Sequence, residues 1–420
     1  MEKAIIINLS TNKKEKETSK ESLEELGGLV HAAGAKILEK QFQYRQNINP
    51  KYFIGGGKAE ELRELKDKLE ADLIVFDQIL SPVQQHALEE KIQCKVIDRT
   101  QLILDIFALR AHSNVGKLQV ELAQLNYMLP RLTGKGTALS RLGGGIGTRG
   151  PGEKKLEEDR RRIKDRISKI KKDIKKVQKQ RLNQRKKRKK GPIPMVSIVG
   201  YTNAGKSTLF NSLTHENKYV SSRLFATLDP VIRRVSLSDG SFFYISDTVG
   251  FIRDLPVELK TAFQATLEEV NEADCICHVI DLASDQIPSQ IETVDKILSE
   301  IGVHDIPVIK AYNKIDILDN KEELLAKNNG SHSEHVYISA EKSMGIDCLK
   351  EKISSIVFRG LEKFDLRFPK SKKYLIHSFP KWSIVLKKRE NSDDFLLKVL
   401  ADPKKMMNFL PFIQRGEKNW

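Results

Sequence analysis

Residues 195–213 read Met-Val-Ser-Ile-Val-Gly-Tyr-Thr-Asn-Ala-Gly-Lys-Ser-Thr-Leu-Phe-Asn-Ser-Leu. The apolar run 195–199 is suited to a buried parallel strand, and residues 207–213 have the pattern of a helix start. Between them, residues 200–207 have the spacing Gly-x-x-x-x-Gly-Lys-Ser, in which backbone N–H groups and a lysine cradle phosphates. An ordinary glycine-rich turn is the alternative, but it requires neither the lysine nor the serine. The stretch therefore predicts a phosphate-binding loop.

Four further elements follow in the order that a guanine-nucleotide switch needs. Residues 225–230 read Phe-Ala-Thr-Leu-Asp-Pro, 247–250 read Asp-Thr-Val-Gly, 313–316 read Asn-Lys-Ile-Asp and 339–341 read Ser-Ala-Glu. One loop pattern has real false positives, whereas five ordered elements within about 150 residues, the size of one domain, are far harder to obtain by chance. We therefore expect a Ras-like P-loop GTPase domain.

The phosphate and metal contacts follow from these elements. Lys206 would neutralise the β- and γ-phosphates, and the Gly250 N–H would bind the γ-phosphate. The Ser207 hydroxyl would bind Mg²⁺, and Asp247 would hold the metal through water. Thr227 would reach Mg²⁺ only when a γ-phosphate is present, although a threonine in a surface loop is the alternative. We predict Lys206, Thr227 and Gly250 as catalytic residues and Ser207, Thr227 and Asp247 as metal ligands.

The last two elements predict which base is bound. The Asp316 carboxylate can accept two hydrogen bonds from guanine N1 and N2, a donor pair that adenine lacks. Ser339 and Ala340 would offer a backbone N–H to guanine O6. The predicted cofactors are GTP or GDP and Mg²⁺. The predicted nucleotide contacts are Gly200, Tyr201, Thr202, Asn203, Ala204, Gly205, Lys206, Ser207, Thr208, Phe225, Ala226, Thr227, Leu228, Asp229, Asp247, Thr248, Val249, Gly250, Asn313, Lys314, Ile315, Asp316, Ser339, Ala340 and Glu341.

Two positions bear on the rate of hydrolysis. Phe251 stands where many GTPases carry the glutamine that orients the attacking water, and phenylalanine cannot polarise water. We therefore predict slow intrinsic hydrolysis that needs help from a partner. Asn203 resembles the asparagine of potassium-stimulated GTPases, so a K⁺ ion in place of an arginine finger is a further hypothesis. A capping or turn-forming asparagine is the alternative.

Positive charge is concentrated in one segment. The chain of 420 residues has a net charge of +16, and residues 154–190 hold 20 Lys and Arg against 5 Asp and Glu, which is +15. A charge concentrated on one element indicates an extended polyanion such as nucleic acid. A solvated helix face and a membrane-surface helix are the alternatives, and the lack of aromatic residues and of a wide apolar face weakens the second.

Two heptad patterns flank a glycine-rich loop. Apolar residues recur at Val115, Leu118, Leu122, Leu125, Leu129 and Leu132, and again at Leu156, Ile163, Ile167, Ile170, Ile174 and Val177. These seams predict two helices in an antiparallel hairpin. The loop 133–152 is too long and too rich in glycine to pack a core, so we predict RNA contact there, with a flexible connector as the alternative. Its predicted RNA contacts are Lys135, Arg141, Gly143, Gly144, Gly145 and Arg149.

The pattern along the chain predicts an α/β protein. Residues 4–7, 36–42, 73–76 and 95–97 have strand patterns, and residues 23–33, 59–69 and 83–92 have helix patterns, which together indicate a small parallel sheet. We predict an amino-terminal α/β unit at 1–110, the hairpin at 111–190, the GTPase domain at 191–360 and a small α/β carboxy-terminal domain at 361–420.

Residues 142–153 read Leu-Gly-Gly-Gly-Ile-Gly-Thr-Arg-Gly-Pro-Gly-Glu, and Leu-Glu at 156–157 and three arginines at 160–162 follow. With the switch segments 200–207, 224–230 and 247–252, they resemble the signature of the HflX GTPases over roughly residues 1–360. The resemblance implies binding to the large ribosomal subunit and its rRNA, with the hairpin tip near the peptidyl-transferase region. It also implies a role in splitting stalled ribosomes or in stress. Arg160, Arg161 and Arg162 therefore join the predicted RNA contacts.

Composition excludes several other classes of protein. No apolar run approaches the ~18 residues of a membrane-spanning helix, and the four cysteines have no zinc spacing. We expect a cytoplasmic monomer without a membrane span, with weak peripheral membrane association as an open alternative. A second functional hypothesis is a nucleotide-regulated RNA-binding or ribosome-assembly factor with negligible hydrolysis, which Phe251 keeps open.

Overall fold

The computed structural model describes residues 1–12, 16–132, 151–188, 192–214, 225, 231–248, 250–254, 256–260, 270–328, 335–376, 379, 382–391 and 393–414. These residues form two compact units. The first contains the described residues of 1–176, Phe225 and the described part of 254–260, and the second contains the others from 177 onward. The four-part division predicted above remains a prediction.

The first unit contains a sheet of four parallel strands in the order β2-β1-β3-β4. Strands β1 and β3 are central, which explains why Ile5, Ile6 and Ile7 are all fully buried in one continuous apolar run. The elements are β1 (Lys3–Ser10), α1 (Lys16–Ala32), β2 (Lys36–Tyr44), α2 (Gly56–Leu69), β3 (Leu73–Phe76), α3 (Pro82–Ile92), β4 (Lys95–Asp98) and α4 (Arg99–Arg110).

Asp98 links the sheet to the helices that follow it. Its Oδ1 caps α4 by accepting the Gln101 N–H at 2.8 Å and also accepts the Tyr127 hydroxyl at 2.9 Å. Its Oδ2 accepts a bond from Arg131 at 3.2 Å. Tyr127 and Arg131 lie on α5 (Asn114–Arg131), so this fully buried carboxylate ties β4, α4 and α5 together.

Helix α5 packs against the 38-residue helix α6 (Pro151–Arg188) along the predicted apolar seam. Leu122, Ile167, Ile170 and Ile174 form the buried centre of that contact. The Arg166 guanidinium also pairs with both carboxylate oxygens of Glu121 at 2.6 and 2.7 Å. The predicted helical hairpin is therefore confirmed. Among the residues described, no helix is both long and apolar enough to cross a membrane.

The second unit contains a six-stranded sheet in the order β10-β9-β8-β5-β7-β6, parallel except for β6. Its elements are β5 (Met195–Gly200), α7 (Lys206–Thr214), β6 (Val231–Ser236), β7 (Phe242–Asp247), β8 (Cys275–Asp281), α8 (Ile287–Glu300), β9 (Val308–Asn313), α9 (Lys321–Lys327), β10 (His335–Tyr337) and α10 (Ile346–Val357). Gly200, Asp247, Asp281 and Asn313 end four neighbouring parallel strands, so they meet at one edge of the sheet.

A three-stranded antiparallel sheet, ordered β11-β13-β12, follows in the same unit. Its elements are β11 (Glu362–Pro369), α11 (Lys373–Ile376), β12 (Ile384–Glu390), β13 (Asp394–Ala401) and α12 (Pro403–Met406). Ile384 and Leu400 belong to the same buried cluster as the larger sheet, and Lys363 pairs with Asp239 at 2.8 Å. Partial burial would raise the pKa of Asp239, but hydrogen bonds from Lys363 and Ser241 lower it to about 2.

Candidate nucleotide-binding site

The loop after β5 requires glycine at two positions. Gly200 has φ 151°, and a Cβ there would lie 2.3 Å from the Val279 carbonyl oxygen. Gly205 has φ 93°, and its Cβ would lie 2.2 Å from Nδ2 of Asn313. Helix α7 then begins at Lys206, and the first N–H groups of a helix have no acceptor within the helix. The loop and helix start therefore offer the geometry of an anion site.

The first residues of the loop are paired with Phe251. The Thr202 N–H donates to the Phe251 carbonyl at 2.7 Å, and the Phe251 N–H donates to the Gly200 carbonyl at 3.1 Å. The phenyl side chain is only 1% exposed. Phe251 therefore fixes the loop through its backbone, and its ring is buried.

Lys206 lies inside the loop beside Gly250. Its Nζ donates to the Tyr201 carbonyl at 2.6 Å, and burial lowers its pKa to about 8. A Cβ at Gly250 would lie 3.0 Å from Nζ of Lys206 and 2.9 Å from Cγ2 of Thr202. The absence of a side chain at residue 250 therefore leaves room beside the ammonium group.

Two of the three predicted metal ligands lie together. The Ser207 hydroxyl donates to Oδ2 of Asp247 at 3.0 Å, and Asp247 is fully buried at the end of β7. A hydroxyl and a carboxylate are hard oxygen donors, which is the chemistry that Mg²⁺ prefers, so the pair fits this ion. Thr227 lies outside the described residues. Thr248 is nearby, but its hydroxyl donates to the Ile198 carbonyl at 2.6 Å.

Asn313 connects the base-recognition elements to the phosphate loop. Its Nδ2 donates to the Ala204 carbonyl at 2.8 Å, and its Oδ1 accepts the Ala340 N–H at 2.9 Å. The Ser339 N–H donates to the Met344 carbonyl at 3.0 Å. The Ala340 N–H, which we expected to face guanine O6, is therefore already bonded to Asn313. A bound guanine would share this N–H with Asn313 or replace Asn313 as its acceptor.

The neighbouring residues of the base-recognition elements differ in their contacts and exposure. Lys314 adopts φ 67° and its Nζ donates to Asp281 at 2.6 Å. Ile315 is buried, whereas Asp316 is partly exposed at the start of a short 3-10 turn and Glu341 is exposed. Asp316 is therefore accessible to a base.

Asn203 and Phe225 both have positive φ values, 63° and 58°. Asparagine tolerates this region, and the exposed side chain of Asn203 is compatible with a turn and with an ion ligand. Phe225 is 3% exposed, and its ring packs on Phe107 at a centroid distance of 4.6 Å. Other predicted nucleotide contacts lie outside the described residues, namely Ala226, Thr227, Leu228, Asp229 and Val249.

The predicted RNA contacts are only partly described. Arg161 and Arg162 are exposed on α6, and Arg160 is half-buried. The loop residues Lys135, Arg141, Gly143, Gly144, Gly145 and Arg149 lie outside the described residues.

The sequence interpretation missed two polar residues on β8, Asp281 at its end and His278 at its centre. Asp281 ends β8 as Asp247 ends β7, so its position after an apolar strand was a usable signal. His278, on the same strand, is 1% exposed. Burial, with the nearby charges of Lys310 and Lys206, lowers the pKa of His278 to about 3, so the imidazole is neutral at physiological pH.

Three family models match the chain in sequence order. They are described as "GTP-binding GTPase N-terminal" for residues 20–108, "GTP-binding GTPase Middle Region" for residues 110–188 and "50S ribosome-binding GTPase" for residues 195–314. Together they account for most of the chain.

Full-length relatives give the same result. The "GTPase HflX" of Caldanaerobacter subterraneus is 47% identical over 371 residues, covering 88% of this chain and 84% of that protein. The "GTPase HflX" of Escherichia coli is 44% identical over 349 residues, covering 83% and 82%. A GTP-binding protein of Sulfolobus solfataricus, solved in complex with GDP, is 27% identical with a TM-score of 0.45, covering 85% of this chain and 99% of that one. The identity and coverage of the two bacterial relatives show that this chain belongs to the HflX family of GTPases.

Proposed function

We propose that this GTPase binds the large ribosomal subunit and its rRNA and hydrolyses Mg²⁺-bound GTP faster when bound. The hydrogen bonds of Asn313 to Ala204 and Ala340 are the observation that best supports the nucleotide site, because they join the base loop to the phosphate loop. The match of residues 195–314 to "50S ribosome-binding GTPase" supports the ribosomal partner.

In the proposed site, Lys206 turns from the Tyr201 carbonyl toward the β- and γ-phosphates. Binding raises the pKa of Lys206 again, because phosphate oxygens stabilise the ammonium form that burial disfavours. Ser207 and Thr227 would bind Mg²⁺ and Asp247 would hold it through water, so the Ser207–Asp247 bond opens around the ion. The Gly250 N–H would bind the γ-phosphate, and Asp316 would select guanine.

The buried ring of Phe251 supports a dependence on a partner for fast hydrolysis. Because no side chain amide stands at this position, we propose that ribosomal contacts orient the attacking water. We also propose that K⁺ near Asn203 supplies positive charge to the transition state. Equal hydrolysis rates in KCl and NaCl would contradict the potassium proposal and leave the ribosomal one intact.

The basic helix supports RNA as the ligand of the hairpin. Packing on α5 uses the apolar stripe of α6, so Arg161 and Arg162 face solvent. We propose that these arginines, with Arg160 and the predicted loop contacts, bind rRNA phosphates, and that the protein acts in the cytoplasm on stalled or stressed ribosomes. A monomer is sufficient for this function.

The test is GTP hydrolysis in KCl with and without isolated large subunits. We expect at least tenfold stimulation that is lost in Lys206→Ala, because the lysine supplies charge at the phosphates. Unchanged hydrolysis with subunits present, when sedimentation shows that the protein is bound, would contradict stimulation. Light scattering of intact ribosomes mixed with protein and GTP then tests splitting directly.

A charge-reversal pair separates specific RNA binding from general basicity. Arg161→Glu/Arg162→Glu should weaken subunit binding and reduce its salt dependence, while leaving hydrolysis without subunits unchanged. Lys404→Glu/Lys405→Glu is the matched control, because it reverses two adjacent exposed charges on α12, outside the hairpin. Equal losses in both variants would show that net charge alone governs binding.

A further inference from the structure

A cavity of about 360 Å³ opens between α3, α4 and α5. Its lining residues lie between positions 82 and 132, so the cavity is formed within the first unit. The walls combine apolar groups, among them Leu104, Met128 and the ring of Tyr127, with the carboxamides of Gln101 and Gln124. This volume and this mixture of apolar walls with a few polar groups are typical of small-molecule sites.

Asp105 is the group in the wall of the cavity that lacks a partner. It is half-buried on α4, and none of the residues that the structure describes donates a hydrogen bond to its carboxylate or forms an ion pair with it. Burial raises the pKa of Asp105, and the nearby charge of Lys95 offsets this rise only in part. The Lys95 ammonium instead lies 3.9 Å from Glu2. A carboxylate removed from water is stabilised by an opposite charge and by hydrogen-bond donors, which a ligand in the cavity would supply.

The other charged groups of the cavity favour a cation over an anion. Glu89 is a second carboxylate in the wall. The Arg131 guanidinium also lines the cavity, but it donates to the buried carboxylate of Asp98 at 3.2 Å and lies on the Tyr127 ring at 3.4 Å from the ring centroid. Its charge is therefore balanced within the protein. A phosphate group would have to lie beside two carboxylates, whereas a cation would gain from both.

We propose that this cavity binds a small organic cation, a guanidinium group on an apolar chain, with Asp105 as its counter-ion. A carboxylate accepts two parallel N–H bonds from a guanidinium group, and the carboxamide oxygens of Gln101 and Gln124 are acceptors for the remaining donors. A guanidinium group is also more weakly hydrated than an ammonium group, so a half-buried carboxylate favours it. The apolar chain would lie against Leu104 and Met128. Free alkylguanidines and the arginine side chains of proteins share this chemistry.

The experiment uses the full-length protein without nucleotide, with ¹³C in the methyl groups of its six methionines. Met128 lines the cavity and is 48% exposed, and Met407, which is exposed in the second unit, is the internal control. The variant Met128→Leu assigns the resonance. Butylguanidine should shift the Met128 signal with a Kd of about 1 mM or lower and leave the Met407 signal in place. A Met128 signal that does not move in about 20 mM butylguanidine would overturn the proposal.

Two variants test the counter-ion and the cavity separately. Asp105→Asn should weaken butylguanidine binding at least about tenfold, because the amide carries no charge to pair with the cation. Glu64→Gln is the matched control, because it removes one negative charge from an exposed position on α2 of the same unit. Gln124→Trp keeps Asp105 but fills the cavity with a large side chain, and it should abolish binding. Equal losses in Asp105→Asn and Glu64→Gln, or parent-like binding by Gln124→Trp, would overturn the site.

Melting temperatures show whether Asp105 serves a ligand or the fold. Without a ligand, Asp105→Asn should melt no lower than the parent, because the amide removes a charge that burial disfavours. Butylguanidine should raise the melting temperature of the parent and leave that of Asp105→Asn unchanged. A lower melting temperature for the ligand-free variant would show that the carboxylate stabilises the fold by itself and would contradict its role as a counter-ion.

Two further ligands of the same charge define the chemical class and its source. Butylamine replaces the guanidinium group by an ammonium group and should bind at least about threefold more weakly. Equal affinity of butylamine would overturn the preference for guanidinium. N-acetylarginine amide presents the group as a polypeptide does. If it binds more tightly than butylguanidine, the cavity takes an arginine side chain of a partner protein, and if it binds more weakly, the cavity takes a free alkylguanidine.

Discussion

The side chain of Asn313 donates a hydrogen bond to the backbone carbonyl of Ala204, 109 residues earlier in the chain, at 2.8 Å. The other amide atom accepts the Ala340 N–H, so one buried carboxamide holds three segments of the nucleotide site. The site is therefore partly assembled by the protein itself, before any contribution from a ligand.

Asn313→Ala should remove both of these hydrogen bonds. It leaves the Ala204 carbonyl and the Ala340 N–H without their partner, at about 1–3 kcal/mol for each buried group. We expect GDP affinity to fall at least about tenfold, as measured by fluorescence titration. Asn320→Ala is the control, because Asn320 is exposed and its side chain makes no cap bond. Parent-like GDP binding by Asn313→Ala would show that the hydrogen bonds of Asn313 are dispensable for nucleotide binding.

Asp316→Asn should change the base that is bound. The amide loses the two charge-assisted acceptor bonds to guanine, which predicts roughly 10- to 100-fold weaker GTP binding. An Asn side chain can instead donate to the 2-carbonyl of xanthine, so binding of xanthosine triphosphate should improve. Competition against labelled GDP measures both affinities. Asp319→Asn, a neighbouring exposed position, is the control, and a variant at 316 that still prefers GTP would contradict the assignment.

Nucleotide binding should be accompanied by proton uptake at mildly alkaline pH. With a pKa of about 8 before binding, Lys206 is half neutral at pH 8, and it becomes fully charged when phosphates surround it. Calorimetry of GDP binding in buffers of different ionisation enthalpy should show uptake of about half a proton at pH 8, where the phosphates of GDP are already ionised, and less as the pH is lowered toward 7. Heats that do not depend on the buffer at pH 8 would show that Lys206 is already charged before binding.

His278 should make the second unit sensitive to acid. Its pKa is about 3 in the folded protein and 6.5 when unfolded, so the unfolded chain binds more protons below pH 6.5. The contribution of His278 to the free energy of unfolding is therefore fully present above pH 6.5 and decreases as pH falls toward 3. The decrease amounts to about 1.4 kcal/mol between pH 7.5 and 5.5.

His278→Leu should remove that part of the pH dependence. Guanidinium unfolding followed by fluorescence of Trp382, which lies in the same unit, gives the midpoint at both pH values. His304→Leu is the control, because His304 is exposed. If both variants lose as much stability between pH 7.5 and 5.5 as the parent does, a group other than His278 causes the pH dependence.

Local patterns predicted much of the fold. The strand at 73–76 and the seam of the hairpin follow from apolar periodicity and are present in the structure. Helix α4 was not predicted, because it follows β4 without a loop and buries residues on several sides, including Leu102, Ile103 and Leu104. Without a polar face, the helical period is hidden.

The contacts between distant segments around the site were less predictable. The phosphate loop was recognisable because its chemistry lies within eight consecutive residues. The bond between Asn313 and Ala204 and the contact between Phe107 and Phe225 join residues more than 100 positions apart. Such pairs depend on how strands and helices are arranged in space, and no local pattern records that arrangement.

The packing of Ile384 and Leu400 into the core of the larger sheet sets a limit on how this chain can be divided. A fragment that ends near residue 360 would carry an uncovered apolar surface where these side chains belong, and such surfaces promote aggregation. Workable fragments should therefore extend at least through β13. The carboxy-terminal sheet therefore cannot be exchanged between relatives as an independent unit. The side chains of any replacement would have to pack into the core of the GTPase sheet as Ile384 and Leu400 do.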